Sequence, residues 1–345
     1  MSVHAFGSDL TLSEMVRRES PNGALADLID VISEENPILQ DAKVTECNEG
    51  TSHRFTRTVS MPSGAERGYN MGIDTEAGVT ETLNEPTCML DGMSQIDDAI
   101  LRHSPKKLEA RMQEDKFFLM GIEQTRAYRL FNNNSGGTAV GDRATYPLRI
   151  NGFPFRADYN VLSSDHVFDN AGGNASATAN KTSIWLVQWG YRKCNLIFPR
   201  NDAMPNTQYG VKMEDFGKVI VTDGASKKYP AWQTWFESHF GLCVFDPRCI
   251  KRVVNISTTN IDGVDDFSFD EEVLIDAYNS MVHSQQGIVI YTNKTVRAQM
   301  WKRLNSKSNV NFQPGTDPFG RAIIKFIDAP IRTLDCIGTT EATIT

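Results

Sequence analysis

Three side chains in the second half of the sequence are of types that could bind a metal ion together. His239, Cys243 and Cys249 are ligands that zinc accepts. Their spacing fits no common zinc pattern, and the residues around them favour a β-strand. The six cysteines also show no paired spacing, which in a cytoplasmic product predicts reduced thiols. We therefore expect buried free thiols here rather than a metal centre.

A run of carboxylates further along the chain could bind calcium. It comprises Asp262, Asp265, Asp266, Asp270, Glu271 and Glu272. The spacing of an EF-hand and its glycine are missing, so a solvated loop that leads into a helix is the stronger interpretation. The chain also has no phosphate-binding glycine loop, dinucleotide fingerprint or nucleophile elbow. The sequence thus predicts no catalytic, cofactor or metal site.

A polar, glycine-containing segment, residues 44–90, carries many charges of both signs. Its candidate contact residues are Arg54, Arg57, Arg67, Asp74, Glu76 and Glu81. One interpretation is a hairpin whose charges are solvated, as most charge runs are. The other is a ribbon held to a neighbouring subunit by ion pairs, which set specificity and register more than affinity. The residues alone leave both interpretations open.

The same segment is predicted to form a two-stranded ribbon. Strand-favouring residues cover 44–61 and 79–89, with a turn signal at Met61-Pro62-Ser63-Gly64. A ribbon without a hydrophobic face is marginally stable in water and needs another surface. If that surface belongs to another copy, the functional unit is an assembly.

A long helix is predicted directly after the ribbon, over residues 104–132. Ser104 and Pro105 are a strong helix start, and Asn132 begins an Asn/Gly-rich end. Apolar residues recur near helical spacing at Leu108, Met112, Leu119, Ile122 and Leu130. We expect Leu119 and Ile122 to face a sheet.

Short β-strands dominate the remainder of the chain. They are predicted at 183–191, 193–198, 218–222, 232–244, 252–256, 287–291 and 322–326, with helices at 270–283 and 295–305. Trp185 and Trp189 share one face of a strand, so we expect them in the core. Residues 10–40 have the pattern of an arm with helical pieces.

Composition limits the classes of function. The chain has 345 residues and a formal net charge of −8, which argues against tight nucleic-acid binding but not against enclosing nucleic acid. No apolar run is long enough to span a membrane, and the N-terminus lacks the features of a signal peptide. Synthesis in the cytoplasm is the expectation.

The order of these features resembles the major capsid proteins of tailed bacteriophages with the Hong Kong 97-type fold, and most closely those of short-tailed phages of the epsilon type. The residues that carry the resemblance span nearly the whole chain. They are Leu12-Ser13-Glu14, residues 27–32, 87–91, 183–190, 240–244 and 291–297, and Asn309-Val310-Asn311. Their specificity lies in their order and number.

This resemblance implies an α+β fold with four parts. They are an N-terminal arm (1–42), an extended β-hairpin loop (43–90), a peripheral domain (91–145 and 305–345) with the spine helix 104–132, and a mainly axial domain (146–304). It implies a non-enzymatic protein that assembles as hexamers and pentamers into an icosahedral shell around phage double-stranded DNA. Many copies of itself, a separate scaffolding protein, a portal protein and a decoration protein are the implied partners. The implied location is the virion, after assembly in the bacterial cytoplasm.

Two alternatives stand beside this interpretation. The first is a nanocompartment shell of the same fold that holds protein cargo, and the second is a β-rich ligand-binding protein. Some capsids of this fold are crosslinked when a lysine of the extended loop attacks an asparagine of a neighbour. This sequence has no lysine between Val44 and Pro105, and arginine stays protonated at any working pH. We therefore expect a shell held by noncovalent contacts.

Overall fold

The strands form two sheets and a separate hairpin, and the helices pack against the sheets. The computed structural model describes residues 37–103, 106–131, 148–173, 180–200, 211–223, 226–258, 267–282, 287–304, 312–316 and 322–345. The predicted arm lies almost wholly outside these ranges. Its described end is the short helix α1 (Ile38–Asp41), whose Ile38 is buried in the core. The Asp41 carboxylate accepts two hydrogen bonds from Arg332, which fix this end of the arm to the rest of the subunit.

The first sheet is built around one long strand. Its members are β1 (Val44–Glu46), β4 (Cys88–Asp97), β7 (Cys194–Phe198), β8 (Val211–Thr222) and β9 (Lys228–Val244). The central strand β9 pairs with β4, β7 and β8. The hairpin consists of β2 (Ser52–Ser60) and β3 (Val79–Pro86). Only Thr87 separates β3 from β4, so the hairpin grows directly out of this sheet.

A long helix lies along β9. The helices that follow β4 are α2 (Asp98–His103) and α3 (Lys107–Phe131). At 25 residues, α3 is about 38 Å long. The Phe118 ring stacks on Phe236 with centroids 5.7 Å apart, and the Arg126 guanidinium lies 5.2 Å from the centre of the Phe240 ring. These contacts fix α3 to one face of β9.

The apolar stripe of α3 was predicted only in part. Ile122 and Leu130 are buried, as expected. The other three predicted members are exposed: Leu108 at 68%, Met112 at 63% and Leu119 at 37%. The prediction that Leu119 faces the sheet is therefore wrong. Inward positions of the helix are instead occupied by Asp115 and Arg126, which are polar and nevertheless buried.

The second sheet has seven strands. They are β5 (Val167–Asp169), β6 (Lys181–Gln188), β10 (Ile250–Ser257), β11 (Ile288–Thr292), β12 (Phe312–Thr316), β13 (Ala322–Phe326) and β14 (Ala329–Thr333). Their order across the sheet is β12-β13-β14-β11-β6-β10-β5. The accompanying helices are α4 (Glu271–Asn279) and α5 (Lys294–Leu304). Three short 3-10 turns lie at Phe153–Phe155, Ala157–Tyr159 and Pro247–Cys249.

One apolar cluster, at the C-terminal end of α3, contains residues of both sheets. Trp185 is fully buried there, with the rings of Phe131 and Phe153 at centroid distances of 6.3 and 5.7 Å. Trp189 belongs to the same cluster and donates a hydrogen bond to the Tyr291 hydroxyl at 2.8 Å. The prediction that both tryptophans lie in the core is confirmed. No helix in the described ranges is both long and apolar enough to cross a bilayer.

Strand pairing groups the chain differently from the predicted domain boundaries. β7, β8 and β9 lie in the range 146–304, predicted as mainly axial, yet they share a sheet with β4. β12–β14 lie in the range 305–345, predicted as peripheral, yet they join the second sheet where β14 pairs with β11. Local sequence patterns predict strands but not which distant strands pair. The assignment of a peripheral and an axial domain stays a prediction.

Candidate assembly surface

The hairpin packs only at its base on the rest of the described chain. β2 and β3 pair antiparallel from Ser52 and Pro86 outward to Ser60 and Val79. Neither strand pairs with a third strand among the described residues. Every residue from Thr58 to Thr82 is exposed. The outer half of the hairpin therefore has no core of its own, as the sequence predicted.

The base of the hairpin is held by ring packing and by polar contacts of Arg156. The Phe55 ring packs on Phe245 with centroids 4.7 Å apart. Arg156 forms an ion pair with Glu85 at 2.6 Å, and its other terminal nitrogen donates to the carbonyl oxygen of Leu242 at 3.1 Å. Both side chains of the ion pair are largely buried, at 15% and 14% exposure. These contacts set the direction in which the hairpin leaves the subunit.

Four of the six predicted contact residues have partners within their own chain. Arg57 pairs with Glu81 across the two strands at 3.0 Å. Arg54 lies 3.7 Å from Glu49. The Glu76 carboxylate accepts hydrogen bonds from the backbone amides of Ser63 and Gly64, which shapes the loop between the strands. The charges of these four residues are therefore paired or hydrogen-bonded within their own chain.

The other two predicted contact residues are Arg67 and Asp74. Both lie in the exposed loop, and neither forms an ion pair with another described residue. Charges of this kind are available to a second molecule. A role for any of the six in contacts between subunits stays a prediction.

The loop also presents apolar side chains that the sequence analysis did not single out. The exposed residues are Met61 at 80%, Tyr69 at 101%, Met71 at 65% and Ile73 at 57%. Large apolar side chains grouped at one projecting end are typical of an interaction site. The signal was present in the sequence, but it is diluted by Gly64, Gly68 and Gly72 and by the charges around it.

The candidate metal ligands do not meet. The Nε2 atom of His239 lies 2.7 Å from a Glu237 carboxylate oxygen, whereas Cys243 packs against Cys47 and Ile197. Cys249 is fully buried, and this burial, together with the nearby Asp246 carboxylate, raises the pKa of its thiol to about 12. All six cysteines are unpaired, and all but Cys88 are buried; that they stay reduced remains a prediction. Within the described ranges, no three His, Cys, Asp or Glu side chains are placed to hold a metal ion.

The predicted calcium-type run is partly described. Asp262, Asp265 and Asp266 lie outside the described residues. Asp270 is the N-cap of α4, where its carboxylate accepts a hydrogen bond from the backbone amide of Glu272 at 3.1 Å. Capping of a helix is a structural role, in agreement with the interpretation of a loop that leads into a helix.

The same architecture is found in a chain of known structure. A chain of the near-atomic structure of bacteriophage Epsilon15 superposes with a TM-score of 0.71 at 25% sequence identity, and the alignment covers 100% of both chains. The bacteriophage JBD30 capsid is 11% identical over 89% of this chain and 93% of its own, with a TM-score of 0.47. The encapsulin of Synechococcus elongatus is 9% identical over 68% of this chain and 92% of its own, with a TM-score of 0.37.

The family comparison covers almost the entire sequence. No curated protein matches the chain significantly. The family model of the major capsid protein GP7, in contrast, matches residues 20–345. Together with the full-length likeness to the Epsilon15 chain, this confirms the α+β capsid fold expected from the sequence. The chain therefore belongs to the major capsid protein GP7 family.

Proposed function

We propose that this capsid protein tiles a closed icosahedral shell as hexamers and pentamers, and that the shell encloses the double-stranded DNA of a phage. The observation that carries the proposal is the hairpin, which is anchored at its base and exposed from Thr58 to Thr82. The described part of the subunit offers the outer half of this hairpin no surface, whereas a neighbour in a shell does. Contacts between unlike surfaces of identical subunits close into rings when the rotation between them allows it.

The remaining features fit the same role. The net charge of −8 suits a shell that surrounds DNA without binding its phosphates tightly. Assembly in the bacterial cytoplasm with scaffolding and portal proteins, and a decoration protein outside, completes the proposal. In this role the protein is structural and performs no catalysis.

Shortening the hairpin tests the proposal. Ser60 and Val79 are paired, so residues 61–78 can be replaced by Asn-Gly, which favours a tight two-residue turn. We expect a folded, soluble subunit that forms no closed particles in electron microscopy. Circular dichroism and thermal unfolding of the same sample show whether the subunit itself is intact. Normal particles from the shortened chain contradict the proposal.

The content of the particles separates a capsid from a nanocompartment. Purified particles are treated with nuclease, opened, and analysed for nucleic acid and for a second protein. Protected double-stranded DNA is the expected result. Particles that hold a protein cargo and no DNA favour the nanocompartment instead, and a monomer that never assembles rejects both shells.

A further inference from the structure

Separate pieces of the chain meet at one buried guanidinium, that of Arg252 in β10. Arg252 is fully buried, and its Cζ atom lies 4.7 Å from the centre of the Trp185 ring. Its Nε atom donates to the Ser183 hydroxyl at 3.0 Å, and its Nη1 atom donates to the backbone carbonyl oxygen of Tyr159 at 3.0 Å. Its Nη2 atom forms an ion pair with Glu341 at 3.0 Å. This cation depends on its partners, because a fully buried charge without compensation is costly.

Glu341 belongs to a segment that contacts both β6 and β10, residues 339–344, here called the clasp. The Glu341 amide donates to the carbonyl oxygen of Lys181 at 2.9 Å, and the Glu341 carboxylate also accepts a hydrogen bond from the Ser183 hydroxyl. Further along, the Asn255 side chain donates to the carbonyl oxygen of Ile344 and accepts from its amide, both at 3.0 Å. The clasp is thus seated on the two strands, and it supplies the carboxylate that compensates the buried cation of β10.

Tyr159 connects this network to the base of the hairpin. Its 3-10 turn directly follows Arg156, and its backbone amide donates to the Arg156 carbonyl oxygen at 3.1 Å. Arg156 is the residue whose ion pair with Glu85 anchors the hairpin. The carbonyl that Arg252 holds and the guanidinium that holds the hairpin therefore belong to one short stretch of chain.

Contacts from outside fix the position of this stretch. A 3-10 turn this short has few hydrogen bonds of its own. The Tyr159 carbonyl oxygen is held by Arg252, and the Tyr159 hydroxyl donates to the carbonyl oxygen of Pro247 at 3.0 Å. If the clasp opens, Arg252 loses its carboxylate and is drawn toward solvent, so the Tyr159 carbonyl loses its charged donor. The turn then keeps the bond to Pro247 alone, and we expect Arg156 to be held less firmly against the hairpin.

We propose that the clasp is a conformational switch that controls the hairpin: seating of Glu341 on Arg252 keeps the hairpin anchor closed, and opening of the clasp releases it. The path couples the second sheet to the part of the chain that projects from the first. The inference goes beyond the shell function and does not depend on it, because every contact in the path lies within one subunit.

Hydrogen exchange of the folded subunit tests the switch. Glu341→Gln removes the carboxylate charge at nearly constant size, and we expect the amides at the base of β2 and β3 to exchange about tenfold faster. Ser183→Ala is the milder change, because it removes only a hydroxyl from the same network, and it should give about threefold. Ile290→Val is its matched control: Ile290 is equally buried but belongs to a different apolar cluster. The control should leave the hairpin amides at the wild-type rate.

The Arg156→Met background separates the proposed path from general loosening. In that variant the hairpin anchor is already lost, so adding Glu341→Gln should raise hairpin exchange by less than about twofold. If Glu341→Gln does not fold, Ser183→Ala replaces it in both backgrounds. Wild-type hairpin exchange in Ser183→Ala overturns the inference, as does an equal rise in Ile290→Val or an undiminished rise in the Arg156→Met background. The readout is taken on single subunits, so it does not change if the proposed shell function fails.

Discussion

Breaking the ion pair between Arg156 and Glu85 is expected to release the hairpin from the subunit and to lower the free energy of unfolding. The Arg156 Nη1 atom lies 2.6 Å from the Glu85 Oε1 atom, and the two side chains are only 15% and 14% exposed. Removal of one partner of a buried pair costs about 3–5 kcal/mol, because the other charge is left without compensation. Some solvent reaches this site, so we expect about 3 kcal/mol for Glu85→Gln. Arg156→Met also removes the hydrogen bond to the Leu242 carbonyl and should cost at least as much.

A double-mutant cycle isolates the contribution of the pair. The free energies of unfolding of the wild type, Glu85→Gln, Arg156→Met and the double variant are measured by urea denaturation. We expect a coupling energy of about 2 kcal/mol, since the double variant leaves no charge stranded. The matched control is the pair of Arg57 and Glu81, which is 3.0 Å apart but 32% and 45% exposed. Solvent-exposed pairs contribute little, so the control cycle should give about 0.5 kcal/mol.

Hydrogen exchange tests whether the lost free energy of unfolding is accompanied by release of the hairpin from the subunit. In Glu85→Gln the amides of β2 and β3 should exchange faster, while those of β9 should keep their protection. Equal coupling energies in the two cycles contradict the reasoning, because burial would then not matter. A loss below about 1 kcal/mol for Glu85→Gln contradicts it as well, since that is the range of a surface pair.

Three further predictions concern the helix, the shell and the thiols. Ile122→Asp buries a charge and should give insoluble protein. Leu119→Asp places the charge on the exposed side of α3, so this variant should remain soluble and fold normally. The amount of soluble protein and the melting temperature distinguish the two variants. Mature particles boiled in detergent and reductant should run as one band at the monomer mass, because the segment 44–105 has no lysine to form crosslinks; a ladder of larger species speaks against this. Burial raises the pKa of Cys47 and of Cys249 to about 12, so a thiolate-specific reagent at pH 8 should label these residues only after denaturation; rapid labelling of the folded chain contradicts the burial.

Local sequence patterns predicted many of the elements but not their partners, and they missed β14 and most of β4. The expected strands at 44–61 and 79–89 contain β2 and β3, because β-propensity and turn residues act over short distances. The helix α3 lies within the predicted range 104–132 for the same reason. The pairing of β14 with β11, in contrast, depends on contacts between distant strands, which no local pattern records.

The candidate assembly surface was predicted in outline only. The sequence identified a ribbon without a core, because the stretch contains few apolar residues. It could not show that Arg57 faces Glu81, since an 18-residue loop leaves the register between the strands undetermined. The orientation of Leu119 was wrong because helical spacing marks apolar residues, whereas Asp115 and Arg126 occupy inward positions through polar contacts.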